Sequence, residues 1–384
     1  MIPRICNLSK SRSFLLLGPR STGKSTLIKG WIKGKSVQIY NLLEPAVEAQ
    51  LMSRPEKILE DWRVHKSDWI VIDEIQKIPK LLDVVHQGIE SYKIKFGITG
   101  SSARKLRRGS SNLLGGRASE FHLHPVTHVE IGSDFNLLSY LSWGGLPEIF
   151  SLDQQDKERA LYSYVSTYLK EEILVEQIIR KIEPFRRFLE VAAQMNGKIL
   201  NYSKISRDSG VQEKSVARYY QILDDTLLGF FLEPYHQSIR KRQSQKAKFY
   251  FFDCGVTRAL QNTLALQLSE QTVAFGDLFE QFVVLEFIRL NDYYEARFKF
   301  SYLLTKDGVE IDLIVERPGR PVALVEIKSI SKNREEDMMN IKSISNEFEK
   351  VDCYVLNNST TSTEIRGVRF MNWKDGIQEI FKIK

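Results

Sequence analysis

The chain predicts a multidomain α/β fold. Short apolar runs at 13–17, 37–42, 69–73, 94–99 and 119–124 alternate with helical stretches around 24–33, 55–65 and 80–91. A mainly helical middle follows, and strands return in the last third. The 384 residues are 42% hydrophobic and 11% aromatic, enough for two or three cores at about 100–200 residues per domain. Apolar strands joined by helical crossovers imply a parallel sheet covered on both faces. Ligands of such sheets bind beyond the carboxyl ends of the strands.

Composition narrows the class. No run approaches the roughly 18 apolar residues of a membrane span, so no membrane partner is expected. The opening Met1-Ile2-Pro3-Arg4-Ile5-Cys6 does not read as a signal peptide. Cys6, Cys254 and Cys353 lie far apart, with neither metal spacing nor a disulfide framework, which suits a reducing cytoplasm. Lys and Arg number 55 against 48 Asp and Glu, and the net charge of +7 permits nucleic-acid binding without requiring it.

The first strand runs into Gly18-Pro19-Arg20-Ser21-Thr22-Gly23-Lys24-Ser25, with Thr26 beginning the helix that follows. Every fixed position of the phosphate-loop pattern G-x-x-x-x-G-K-[ST] is met, in the required strand–loop–helix setting. Glycines let backbone N–H groups wrap phosphates, and the helix N-terminus adds favourable partial charge. Lys24 would reach the β- and γ-phosphates of ATP, and Ser25 would ligate Mg²⁺.

The third strand, Trp69-Ile70-Val71-Ile72, ends in Asp73-Glu74. This has the form of a Walker B strand. Asp73 would hold Mg²⁺ through water, and Glu74 would orient the attacking water. A Glu directly after the Asp points to ATP hydrolysis, and no Asn-Lys-x-Asp guanine-reading motif follows.

The fourth strand ends in Thr99-Gly100-Ser101-Ser102, where Ser101 could sense the γ-phosphate. Arg104-Lys105-Leu106-Arg107-Arg108 and Gly115-Gly116-Arg117 come next. Arg117, just ahead of the fifth strand, could act as an arginine finger on its own or a neighbour's nucleotide, which implies a homo-oligomer. His122, His124 and His128 lack a Cys or carboxylate set and make poor zinc ligands.

Residues 127–182 read as a helical lid, interrupted near 140–148, with a long helix from about 157 to 179. Residues 183–252 read as a winged helix. Its helices would be 184–195, 201–210 and 211–224, with Val216, Tyr220 and Leu223 on one face. Its wing strands would be 227–232 and 248–252, joined by the basic tip Arg240-Lys241-Arg242-Gln243-Ser244-Gln245-Lys246. Lys214, Arg218 and the tip would neutralise DNA phosphates. An adaptor that never touches DNA has the same pattern.

Residues 253–384 are α/β again. A helix opens at Gly276-Asp277-Leu278-Phe279-Glu280, and the turn Lys306-Asp307-Gly308 leads to Val309-Glu310-Ile311-Asp312-Leu313-Ile314-Val315. Alternation puts Glu310 and Asp312 on one strand face. The next strand, Val322 to Lys328, puts Glu326 and Lys328 on one face. Pairing the two strands would gather Asp312, Glu326 and Lys328. Asp312 and Glu326, with Glu280 from the helix, could ligate Mg²⁺ or Mn²⁺. Such a metal would activate water for phosphodiester cleavage, with Lys328 positioning that water or sharing charge.

Together these residues resemble a prokaryotic family in which an AAA-type ATPase (AAA domain family 14) is fused to domain of unknown function 4143. The resemblance covers nearly the whole chain. It rests on 18–25, Val71-Ile72-Asp73-Glu74, Thr99-Gly100-Ser101-Ser102, Leu114-Gly115-Gly116-Arg117 and Gly144-Gly145-Leu146-Pro147-Glu148. In the last third it rests on Leu278-Phe279-Glu280, Glu310-Ile311-Asp312 and Glu326-Ile327-Lys328, the last two resembling a PD-(D/E)XK nuclease core with Ile311 in place of its proline. The implied order is a P-loop AAA core at 1–126, the lid at 127–182, the winged helix at 183–252 and a restriction-endonuclease-like domain at 253–384. The expected activity is ATP-coupled DNA binding with metal-dependent cleavage, in DNA repair or defence against foreign DNA. The alternative is an ATP-gated oligomeric switch or scaffold that holds DNA or protein without cutting.

Overall fold

The apolar run Ser13–Leu17 forms β1 and feeds the phosphate loop into α1, Lys24–Trp31. The computed structural model describes residues 2–102, 114–168, 182–236, 246–330 and 335–382. Next come β2 (Val37–Asn41), α2 (Pro45–Ser53), α3 (Lys57–His65), β3 (Trp69–Asp73), α4 (Leu81–Tyr92), β4 (Lys95–Gly100) and β5 (Ala118–His122). The five strands form one wholly parallel sheet in the order β2-β3-β4-β1-β5. Interior β3 is apolar almost throughout because both of its faces are covered. Helix α2 was not expected; its apolar residues Val47, Leu51 and Met52 are scattered, and only Leu51 is buried.

The expected lid is broken as read. It contains α5 (His128–Ile131), α6 (Leu137–Trp143) and α7 (Gln154–Tyr168). Thr127 and Glu130 close α5 with a capping box. The remainder of the long helix expected to 179 lies outside the described residues.

Three helices follow, α8 (Ile182–Gln194), α9 (Tyr202–Ser209) and α10 (Glu213–Asp225). An antiparallel pair comes after them, β6 (Gly229–Leu232) with β7 (Lys248–Phe251). Asn201 caps α9, and Gly210, at φ 66°, ends it in the left-handed conformation. Tyr220 of α10 stacks edge-on against Phe188 of α8 and Phe249 of β7, so helices and hairpin share one aromatic core. Lys214 and Arg218 lie on the outer side of α10, away from that core. The basic tip from Arg240 to Gln245 is outside the described residues.

The last third adds α11 (Cys254–Leu260), α12 (Val273–Tyr293), β8 (Lys299–Leu304), β9 (Glu310–Glu316), β10 (Val322–Ile327), α13 (Glu335–Ser345), β11 (Val351–Asn357), β12 (Thr363–Ile365), β13 (Val368–Asn372) and α14 (Trp373–Phe381). Its mixed sheet has the order β12-β13-β11-β10-β9-β8.

Two compact units result. One comprises Met1–Val126, Leu146–Glu148 and Ile222–Leu228, and the other holds the rest. Residues 127–145, read as part of a lid over the nucleotide, therefore belong with the C-terminal residues. Inside that second unit Gly145 N–H donates to Asp253 Oδ2 (2.7 Å), and Tyr140 of α6 accepts from Arg289 of α12. Gly144, at φ 78°, must be glycine, because a Cβ there would lie 2.0 Å from Asp253 Oδ1.

Candidate nucleotide and cation sites

The phosphate loop lies at the carboxyl end of β1, between β4 and β5. Its shape is held from several sides. Gly18 N–H donates to Gly100 O (3.2 Å), Thr22 Oγ1 donates to Pro19 O (2.9 Å), and Arg4 reaches Thr22 O and His124 O, both at 2.6 Å. A Cβ on Gly18 would lie 2.3 Å from Leu123 O, so only glycine fits there. Gly23, at φ 92°, turns the chain into α1. Lys24 is buried and donates to Gly18 O (2.8 Å) and Pro19 O (3.0 Å), curling over the loop it is expected to serve. Arg20 and Ser21 lie in the loop itself, and Ser25 and Thr26 in the first turn of α1.

Asp73 and Glu74 come into the same neighbourhood from the end of β3. Ser25 Oγ donates to Asp73 Oδ2 (3.0 Å). Thr99 hydrogen-bonds the other Asp73 oxygen and accepts from Glu74 N–H (3.1 Å). Glu74 itself takes the left-handed conformation, φ 63°, a strained turn for a non-glycine residue. Ser101 Oγ donates to Glu74 Oε2 (3.0 Å), and Gln76 bridges the two, donating to Ser101 Oγ (2.8 Å) and to Glu74. Gln76 is a residue that sequence reading missed. Its position two residues past Glu74 carries no motif, and only the fold of the turn reveals it.

Arg117 lies elsewhere. Ala118 pairs with Ser13, so Arg117 stands at the amino end of the sheet, with Glu90 as its ion-pair partner. Five strand residues at about 3.3 Å each separate that end from the loop, roughly 16 Å. This placement does not bring Arg117 to the phosphate loop of its own chain. Arg104, Lys105, Arg107 and Arg108 are outside the described residues. The three histidines do not converge on a metal. His122 pairs with Glu120, and His128 is bound to Glu286.

In the second unit β9 and β10 pair antiparallel, with Val325 opposite Leu313. Continuing that register sets Glu326 opposite Asp312, as the pattern implied. Asp312 Oδ2 accepts from Ile327 N–H (2.8 Å), and Lys328 Nζ pairs with Glu326 Oε1 (2.5 Å). Glu326 Oε2 is buried and has no hydrogen-bond partner among the described residues. Glu280 of α12 accepts from Tyr250 OH (2.6 Å) and Lys248 Nζ (3.3 Å), and Lys248 also pairs with Glu310 (2.6 Å).

Burial, then the neighbouring Asp312, pushes the Glu280 carboxyl up to about 7 and the Glu326 carboxyl up to about 8. Burial would lower the Lys248 ammonium, but Glu280, Asp312 and Glu310 outweigh it and raise its pKa. Four acidic side chains thus stand beside two ammoniums, and the raised Glu280 and Glu326 hold protons near neutral pH that a divalent cation would displace. The fit is to two ligands, Asp312 and Glu326, because Glu280 is engaged with Tyr250 and Lys248. Among the described residues no three His, Cys, Asp or Glu side chains stand together as a metal cage. Lys248 and Tyr250 were missed from sequence because they lie about 60 residues from β9 and on a strand read only as wing.

Family models match the chain in three consecutive stretches. An AAA domain matches residues 10–132, a domain of unknown function (DUF8612) matches 134–271, and a domain of unknown function (DUF4143) matches 275–375. The architecture is therefore an AAA domain joined to a DUF4143 domain. Uncharacterized proteins of Mycobacterium tuberculosis and Mycobacterium bovis are each 29% identical over 331 residues, spanning 84% of this chain and 72% of theirs. An uncharacterized protein of Haemophilus influenzae is 20% identical over 392 residues, spanning 92% and 91%. Among solved structures, replication initiator DnaA bound to AMPPCP and single-stranded DNA overlaps with a TM-score of 0.30 at 14% identity, covering 57% of this chain and 84% of that one. A DNA replication initiation factor overlaps with a TM-score of 0.27 at 13% identity, covering 58% and 73%. Scores this low do not bear on function. No helix among the described residues is long and apolar enough to cross a membrane.

Proposed function

We propose that this protein hydrolyses ATP in its AAA domain and uses the cycle to control a DNA-binding, metal-dependent nuclease in its second unit. One observation carries the ATPase reading. Hydrogen bonds link Ser25, Asp73, Thr99 and Glu74 at the carboxyl end of the parallel strands, beside the loop that carries Lys24, with Ser25 bonded to Asp73 at 3.0 Å. Mg²⁺, held by Ser25 and Asp73, would neutralise developing phosphate charge. Lys24 would swing from its own loop onto the phosphates. Glu74, anchored by Ser101 and Gln76, would orient water for in-line attack. Arg117 would act in an oligomer, across a subunit contact.

The DNA reading rests on the three helices and hairpin of a winged helix, with Lys214 and Arg218 on the outer side of α10. The nuclease reading rests on Asp312, Glu326 and Lys328, assembled on paired strands as a PD-(D/E)XK core would require. A bound Mg²⁺ or Mn²⁺ would supply Lewis acidity there, with Asp312 and Glu326 as ligands and Lys328 placed to position water. A second reading, an ATP-gated switch that binds DNA or protein without cutting, draws support from the burial of Asp312 and Glu326, 8% and 4% exposed. The deciding experiment incubates the purified protein with single-stranded, duplex, nicked and branched DNA, with and without ATP and Mn²⁺. Cleavage lost in Asp312→Ala upholds the nuclease reading, and its absence on every form favours the switch.

A further inference from the structure

The hairpin strand β7 contributes two side chains to the acidic site of the C-terminal sheet. Lys248 and Tyr250 are two residues apart and project from one face of the strand. Tyr250 OH donates to Glu280 (2.6 Å), while Lys248 pairs with Glu280 (3.3 Å) and Glu310 (2.6 Å), acids of two different elements. The Lys248 side chain is only 3% exposed, and a lysine is rarely this buried unless it balances buried acid. Yet the balance is incomplete, because Glu326 Oε2 is buried without a partner among the described residues.

The hairpin also meets the edge of the sheet at β8. Tyr302 of β8 donates its N–H to Glu233 O (3.1 Å), accepts from Tyr235 N–H (2.6 Å), and donates its hydroxyl to Lys246 O. These three hydrogen bonds tie the hairpin to β8, and β7 is buried along its whole length, which seats Lys248 against the acids.

We propose that Lys248 is the resident cation of this site, and that a divalent ion enters only in competition with its ammonium group. The Lys248 ammonium, set beside Glu280, Glu310 and Asp312, repels a divalent ion that Asp312 and Glu326 would hold. Displacement of the ammonium from Glu280 and Glu310 accompanies entry of the ion. The inference rests on the reading of Asp312 and Glu326 as a cation site.

The test uses the full chain stripped of metal, with Mn²⁺ alone as the probe. Binding is followed by the electron paramagnetic resonance of free Mn²⁺. Lys248→Met should bind Mn²⁺ about tenfold more tightly than wild type, Lys248→Arg should match wild type, and adding Asp312→Asn to Lys248→Met should remove the gain. A second measurement needs no variant at this lysine. In wild type, acylation of Lys248 by an amine-reactive reagent, read by peptide mass spectrometry, should rise on saturation with Mn²⁺, and it should not rise in Asp312→Asn. Equal or weaker Mn²⁺ binding by a folded Lys248→Met overturns the proposal. So does Lys248 acylation that Mn²⁺ leaves unchanged, which decides the matter if Lys248→Met does not fold. Competition without DNA cleavage would sink the nuclease reading and leave this one standing, whereas no Mn²⁺ binding by any form would sink both.

Discussion

Asp73 and Glu74 are neighbours in the chain with different surroundings, and that difference separates their roles. Asp73 faces Ser25, while Glu74 is turned back by its left-handed backbone onto Ser101 and Gln76. Glu74→Gln should therefore keep ATP binding and lose turnover by at least about 100-fold, as expected when a water-orienting base is removed. Lys24→Ala should instead weaken nucleotide binding. Fluorescent-nucleotide titration and phosphate release separate the two, and full hydrolysis by Glu74→Gln would remove Glu74 from the mechanism. In the second unit the sign of the pH effect follows from Glu280 and Glu326. Both carboxyls are raised above the ordinary 4.5, to about 7 and about 8. Their contribution to stability is fully present below about pH 4.5 and is lost as pH rises through 7 and 8. The metal-free protein should melt at lower temperature as pH climbs across that range. Added Mn²⁺, which favours the ionised acids, should raise the melting temperature more at the upper end than at the lower. A Mn²⁺ effect that does not grow with pH would argue against these two carboxyls.

Helix α12 shows how one element binds a unit together. It is buried along most of its length, including Glu286 and Arg289. Arg289 donates to Tyr140 OH (2.5 Å), Glu286 Oε1 (3.2 Å) and Phe252 O (2.8 Å), and Glu286 also receives His128 N–H (3.1 Å). Arg289→Met would leave Glu286 buried with half its partners, a loss of about 3–5 kcal/mol. Urea unfolding of the variant measures it, and a loss under about 1 kcal/mol would show that His128 alone satisfies the acid. Helix α10 carries a different expectation. Reversing charge at Lys214 and Arg218, on its outer side, should weaken DNA binding. For every DNA phosphate that is no longer neutralised, the log–log salt slope should flatten by about 0.9. Unchanged affinity and slope would make the segment an adaptor.

At the scale of the molecule, Arg117 is the test of assembly. It stands at the sheet end away from the phosphate loop, paired with Glu90. Arg117→Ala should leave ATP affinity intact, and it should slow hydrolysis only if a neighbouring subunit supplies the nucleotide. Sedimentation with and without ATP, set beside the rate of the variant, resolves this. A protein that stays monomeric with ATP and is fully active as Arg117→Ala has no such finger.

The phosphate loop and the strand ending in Asp73-Glu74 could be read directly because their chemistry is local: a few contiguous residues specify both the backbone path and the groups on it. The same holds for the interior strands β1, β3 and β4, whose largely apolar runs reflect cover on both faces, and for the shared face of Glu310 and Asp312, which two-residue alternation dictates. Other features had no local signature. Gln76 reaches Ser101 only because Glu74 turns left-handed, and Gly144 is required only because Asp253, more than 100 residues on, packs against it. Residues 127–145 read as a lid by position but join the unit whose buried acids and arginine they satisfy. Lys248 read only as the first residue of a wing strand. Tertiary packing made it the counter-charge of Glu280 and Glu310, because buried carboxylates must find a cation and sequence distance places no limit on where it comes from.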